Sequence, residues 1–331
     1  MSPPGAERDA RGLRTAHRWL TALLLVPALA SGYEPEVHQK LTFHAAKLFN
    51  GCVEETGLRP LTPLQVRYVA KANVALADSN FFVRLFRWNY YDRAEQQPRS
   101  LLWVVSTRLH GHFEQLVQEL ESADDDAARY RELGRIVSYL QLMTSPARVV
   151  PVYTGRFWRW SFSDRFDTYQ LNDEALEARL QDDCADLVTV PPSFHALLAD
   201  TADETLEAVR SPVDGLPATW EAFWTISDDP DGFGEYGPAG NSFGRKTTFR
   251  CPAADDASGA RNRRCVLLDR DPIYADFALE RHAAAVRSTA RAMVMLQQSR
   301  AQDQSAGPLE APATAPVPRG SPDSAQDSSE E

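Results

Sequence analysis

Apolar residues recur at helical spacing through most of this chain, and no run sustains the period-two alternation of a half-buried strand. In VHQKLTFHAAKLF, the residues Val37, Leu41, Ala45 and Leu48 fall on one side of a helix. LTPLQVRYVAKANVALAD opens with Thr62 as a cap and Pro63 at the first helical position, where a missing N–H costs nothing. The spacing predicts further helices over 100–120, 128–143, 172–187, 193–209, 218–224 and 273–298, the last being the longest. Asp124, Asp125 and Asp126 precede the helix at 128–143, placing negative charge at the positive end of its dipole. The expected fold class is therefore all-α, with no large sheet. Two stretches read as long loops: 151–168, which carries Trp158, Trp160 and several Phe, and 227–271, rich in Gly, Pro and Asp. Loops of that length inside a domain tend to be functional or stapled. Trp158 and Trp160 read as core or loop anchors rather than a base-stacking platform.

The ends differ from the middle. Arg8, Arg11, Arg14 and Arg18 precede the apolar run WLTALLLVPALA, which ends with the small residues Ala28 and Ala30 and is followed by Ser31 and Gly32. Positive region, short apolar region and small-residue site are the order of a signal peptide, and the run is short for a membrane span. Residues 1–32 are therefore expected to be removed on export, leaving a mature chain that starts near Tyr33. An uncleaved anchor is the alternative. The tail 301–331 is Pro, Ala, Ser and acid, a composition expected to be disordered. One helical domain over 33–300 is expected between them. Export, to the periplasm or the medium, permits disulfides. Cys251 and Cys265 bracket part of the second loop, which suggests a staple, with Cys52 and Cys184 as the other pair. Four cysteines allow three pairings, and the sequence does not choose among them. The formal net charge of −11 excludes bulk attraction to a phosphate backbone. No partner is indicated, no transmembrane span is expected in the mature chain, and a monomer is expected.

One segment has a recognisable frame with altered contents. SYLQLMTSPAR, residues 138–148, reads as a helix end, a short turn, a Pro and a cation. Upstream stand YEPEVH from Tyr33 to His38, ANVALAD ending at Asp78, and WNYYD containing Asn89; downstream stands SDRFD, with Ser163, Phe166 and Asp167. In order and spacing these resemble the exported zinc-dependent phospholipase C and single-strand nuclease family. That resemblance covers 33–170 by motif and the last helix by pattern. It implies an all-helical fold with a cleft lined by Tyr33, His38, Asp78, Asn89, Ser138, Leu142, Arg148, Ser163 and Asp167. In the family the central motif is His-Tyr-Leu-x-Asp, then a turn, Pro, any residue and His. Here Ser138, Leu142 and Arg148 stand at the three ligand positions of that motif, Asn89 stands where a further His would be, and Ser163 at another.

These replacements remove the chemistry. Zinc takes three or four N, O or S ligands at close range. Leu142 has no lone pair to give, Ser138 is a poor neutral ligand, and Arg148 sets a permanent cation beside the metal. His38, Asp78 and Asp167 survive, but on the resemblance they serve different ions, so no ion keeps a full set. No cofactor is expected, and without a metal there is no activated water. The expected protein is an exported non-catalytic homologue that uses the former cleft for a ligand or partner. One alternative is a phosphodiesterase or phospholipase with an atypical zinc site, with Asp78 as its catalytic candidate. A secreted helical protein of unrelated fold is the other. Among the unassigned histidines, His110 and His112 are too close in a helix to chelate one ion, and His38 and His44 are too badly phased. His195 and His282 read as surface or satisfied core. Arg148 is expected to point into the cleft and pair with Asp78 or Asp167, with Tyr139, Leu140 and Met143 facing the core and Leu142 lining the emptied cavity.

Overall fold

The computed structural model describes residues 33–77, 90–91, 93, 100–101, 105–106, 110–152, 164–181, 183–229, 233–251 and 264–305. Residues 1–32, expected as a signal peptide, lie outside them, as do Asp78, Asn89, Trp158, Trp160, Ser163 and residues 306–331. The described chain is mostly helical. In order it runs α1 (Pro35–Gly51), α2 (Val53–Thr56), α3 (Pro63–Ala77), β1 (Ser100–Leu101), β2 (Val105–Ser106), α4 (His110–Glu121), α5 (Asp126–Leu142) and α6 (Pro146–Val149). There follow α7 (Asp173–Arg179), α8 (Cys184–Val188), α9 (Phe194–Arg210), a 3-10 turn (Trp220–Ala222), β3 (Trp224–Thr225), β4 (Glu235–Tyr236), β5 (Thr247–Arg250), β6 (Arg264–Leu267) and α10 (Pro272–Ser305).

Local chemistry sets the helix starts. Thr62 and Gln65 form a reciprocal capping box: the Gln65 N–H donates to Thr62 Oγ1 (3.3 Å) and the Thr62 N–H to Gln65 Oε1 (2.8 Å). Asp125 caps α5 by accepting from the Ala128 N–H at 2.6 Å, and Ser193 caps α9 by accepting from the Ala196 N–H at 3.1 Å. Helix α10 is the axis. It packs on α1, α5, α7, α8 and α9. Its middle buries consecutive residues, Ala283 to Val286, because a helix surrounded on all sides has no solvent face to keep polar. Helices α3 and α5 lie closest where Gly134 meets α3. A Cβ on Gly134 would sit 2.3 Å from the Val69 carbonyl oxygen, so only Gly permits the approach.

Four expectations about elements need correction. The helix expected from Ser100 starts only at His110; Ser100–Leu101 and Val105–Ser106 pair instead as antiparallel strands. The apolar residues there are β-branched and aromatic as well as periodic, and such residues suit a strand equally well. The helix expected over 172–187 breaks into α7 and α8. The stretch ATWEAFW is a single 3-10 turn running into β3, its indole and phenyl rings buried among other aromatics. The expected loop 227–271 contains β4, β5 and β6, in two antiparallel hairpins. Among the described residues each sheet has two strands.

Both expected disulfides form. Cys251–Cys265 closes the β5–β6 hairpin, with Cα atoms 5.6 Å apart. Cys52–Cys184 ties the end of α1 to the start of α8, with Cα atoms 5.2 Å apart across 132 residues of chain. Among the described residues, no helix is long and apolar enough to cross a membrane.

Candidate functional site

The helix end SYLQLM runs into the middle of the core. Tyr139, Leu140 and Met143 are fully buried, as is Ser138 one turn before Leu142, while Leu142 is partly buried and packs against the apolar core. Ser145 stands at the N-cap position of the following turn without a side-chain capping bond, and Pro146 at its first position starts α6, which carries Arg148. Arg148 is only 8% exposed. The turn is anchored from outside by the Tyr91 N–H, which donates to the Arg148 carbonyl at 2.9 Å.

Around this turn the structure gathers four of the expected positions. Tyr33 is buried and its ring meets His38 edge-on at 5.9 Å; it also lies 5.9 Å from Phe166, beside Asp167. The Tyr33 hydroxyl and Thr144 Oγ1 are 3.1 Å apart. Burial drives the Tyr33 phenol far above its usual range, so it stays neutral. Asp167 accepts from Ser145 Oγ at 2.6 Å. Burial lifts the Asp167 carboxyl to about 7, against the pull of the Arg148 guanidinium and with added repulsion from Asp164. Asp164 is raised as well, mainly by burial, even though three donors converge on it. These are the Trp224 indole N–H at 2.9 Å, the Tyr236 hydroxyl at 2.8 Å and the Phe166 N–H at 2.8 Å. Trp224 and Tyr236 face each other across the β3–β4 pair, which is why one carboxylate oxygen receives both. Arg148 acts electrostatically on Asp167, Asp164, Tyr236 and His38. Asp164 and Asp167 are therefore two buried acids, each held above the usual carboxylate range by burial and each drawn down by the Arg148 cation.

His38 belongs to an adjoining polar network. Its Nδ1 lies 2.6 Å from Gln141 Oε1, which also accepts from Asn73 Nδ2 at 2.9 Å. Gln141 Nε2 donates to Thr42 Oγ1 (3.2 Å) and Thr289 Oγ1 (3.3 Å), and Asn73 Nδ2 donates to Thr42 Oγ1 (2.8 Å). Since Gln141 Oε1 can only accept, His38 carries its proton on Nδ1. Burial, followed by the nearby Arg148, lowers His38 to about 4, which keeps it neutral. The arrangement is a closed, nearly satisfied buried network joining α1, α3, α5 and α10, of the kind that pins helices in one register. Its members Thr42, Asn73, Gln141 and Thr289, together with Thr144, Ser145 and Asp164, were not foreseen from sequence. Gln141 was the available signal: a lone amide inside the apolar helix end, one residue from Leu142.

The other histidines separate. His44 meets Asp173 at 2.9 Å on the surface, His112 Nδ1 lies 2.5 Å from the Tyr139 hydroxyl, and His195 contacts Glu114 at 2.7 Å. His282 was expected to be surface or satisfied core; it is fully buried against Tyr33 and Phe166, and its Nε2 has no partner. Burial lowers His282 to about 4. Its ordinary value is near 6.5, so the unfolded chain binds the extra proton between those values. The stability that His282 contributes at neutral pH is then lost as pH falls from about 6.5 to about 4, by about 3 kcal/mol at most. His38 titrates with the same sign and Asp167 with the opposite one, so the whole-protein profile mixes all three. The difference between wild type and His282→Leu isolates the histidine. Relative to the variant, wild type should lose stability on acidification in chemical denaturation at pH 7 and pH 4.5. Parallel losses would show that the imidazole titrates alike in both states.

Of the residues expected as metal donors, His38 and Asp167 are described, and the Arg148 cation acts electrostatically on both. Among the described residues, no group of three or more His, Cys, Asp or Glu side chains is placed to hold a metal. No family model, curated protein or solved structure matches the chain.

Proposed function

We propose that this chain is an exported, non-catalytic homologue of the zinc-dependent phospholipase C and single-strand nuclease proteins, a pseudoenzyme whose former metal cleft now holds the fold together. One observation carries the reading: Arg148, which the resemblance puts at a ligand position of the motif, is buried, and its cation acts on Asp164, Asp167 and His38. A fixed guanidinium supplies positive charge to buried carboxyls much as a metal would, but it offers no open coordination position and no lowered water pKa. Leu142 supports the same reading, since an apolar side chain there avoids a further buried carboxylate. Two disulfides support export. On this reading, binding of a ligand or partner takes over from catalysis.

Metal content and hydrolysis of a phosphodiester, measured on the protein after zinc loading and dialysis, test the proposal. The wild type is expected to retain no stoichiometric zinc and to show no hydrolysis above buffer. The combined variant Ser138→His, Leu142→Asp, Arg148→His is expected to bind zinc more tightly than wild type. Stoichiometric zinc with hydrolysis by the wild type would establish the alternative, an active phosphodiesterase with an atypical site.

A further inference from the structure

Away from the buried cluster, helices α3, α4 and α5 leave a cavity of about 620 Å³ between them. That size lies within the range of small-molecule sites. Its walls are apolar in part, with Tyr68 and Leu76 from α3 and Leu116 from α4. Its rim is cationic, with Lys71, Arg131 and Arg135 against the single acid Glu119. Arg135 is already neutralised, lying 3.3 Å from Glu119 and 2.9 Å from Glu132. Lys71 and Arg131 have no acidic partner among the described residues. The Arg131 guanidinium instead lies over the Tyr68 ring, 5.3 Å from its centroid. A guanidinium stacked on a ring keeps its N–H edges free to donate while its plane is held in place. Lys71 is one turn from Tyr68 on the same face of α3, which brings the second cation to the same rim. Two unpaired cations at the mouth of a partly apolar cavity, in a chain of net charge −11, form a local exception to the charge of the molecule.

We propose that this cavity binds an amphipathic organic anion, with an apolar body against Tyr68, Leu76 and Leu116 and an anionic head between Lys71 and Arg131. The head neutralises both unpaired cations, and the body removes apolar wall from water. A free inorganic anion would leave the wall wet, and a neutral apolar molecule would leave the cations unpaired. The inference is independent of the buried cluster and of the family resemblance.

The test uses anilinonaphthalene sulfonate, an aromatic body with an anionic head, titrated into the protein and followed by its fluorescence. Saturable binding at one site is expected, with displacement by decanoate but not by decanol or inorganic phosphate at the same concentration. Arg131→Gln and Lys71→Gln should each weaken the probe about tenfold, the loss of one charge-assisted contact. Ala75→Trp, which leaves the charges and fills the cavity from its exposed wall, should abolish binding. All three positions tolerate substitution at the surface, so an unchanged thermal transition accompanies each expected result. Absence of saturable binding, unchanged affinity in Arg131→Gln and Ala75→Trp, or equal displacement by decanol or by inorganic phosphate would each overturn the proposal.

Discussion

Replacing Arg148 by Ala is expected to destabilise the fold by about 3–5 kcal/mol, the loss typical of removing one partner from a buried charge cluster. Asp164 and Asp167 are both buried, and both are already raised by that burial while Arg148 pulls them down. Without the cation, their folded-state values rise further. A carboxyl whose folded value is raised contributes stability below its unfolded value and loses it as pH climbs through the folded one. The deficit of the variant should therefore grow with pH, being small near pH 5 and large at pH 8. Denaturant midpoints at those two values measure it. Arg148→Met keeps the packing of the stem and should fail in the same direction, since charge and not volume is at issue. Adding Asp167→Asn, which still accepts from Ser145, should recover part of the loss, giving a coupling in the double-mutant cycle. A single variant as stable as wild type at pH 8 would show that the carboxyls do not depend on this cation.

The Cys52–Cys184 bridge is expected to contribute about as much. It closes 132 residues of chain. In the chain-entropy model a loop of that length stabilises the folded state by about 5 kcal/mol, and the bridge closing the β5–β6 hairpin by about 3 kcal/mol. Cys52→Ser and Cys184→Ser should lower stability equally, because either removes the same covalent tie. The pair of changes together should cost no more than one. If Cys184→Ser unfolds at the wild-type denaturant midpoint, the unfolded chain does not gain the expected freedom and the entropic account fails for this bridge.

The helices were readable because their signals are local. Thr62 with Gln65, Asp125 before Ala128 and Ser193 before Ala196 are capping chemistry within a few residues, and the structure uses each of them. The first part of the 100–120 stretch, ahead of the helix at His110, failed for the opposite reason. Its valines and leucines fit helix and strand alike, and pairing with another segment decides between them. ATWEAFW failed because its rings belong to an aromatic cluster built with Phe243, Tyr274 and Phe277, residues remote in sequence. The turn and Pro of SYLQLMTSPAR were legible, and so was the weak or absent metal-donor capacity of Ser138, Leu142 and Arg148, since donor capacity is a property of a side chain alone. What occupies that space was not legible. Gln141 and Asn73 hold His38, Trp224 and Tyr236 hold Asp164, and Ser145 holds Asp167, with partners from 22 to 103 residues away in the chain. Periodicity, caps, cysteines and net charge come from the sequence by itself, because each is set by neighbours along the chain or by composition. The charge cluster around Arg148, the unpartnered His282 and the cationic cavity were decided only by tertiary structure, because burial and a buried group's partners depend on how distant helices come together.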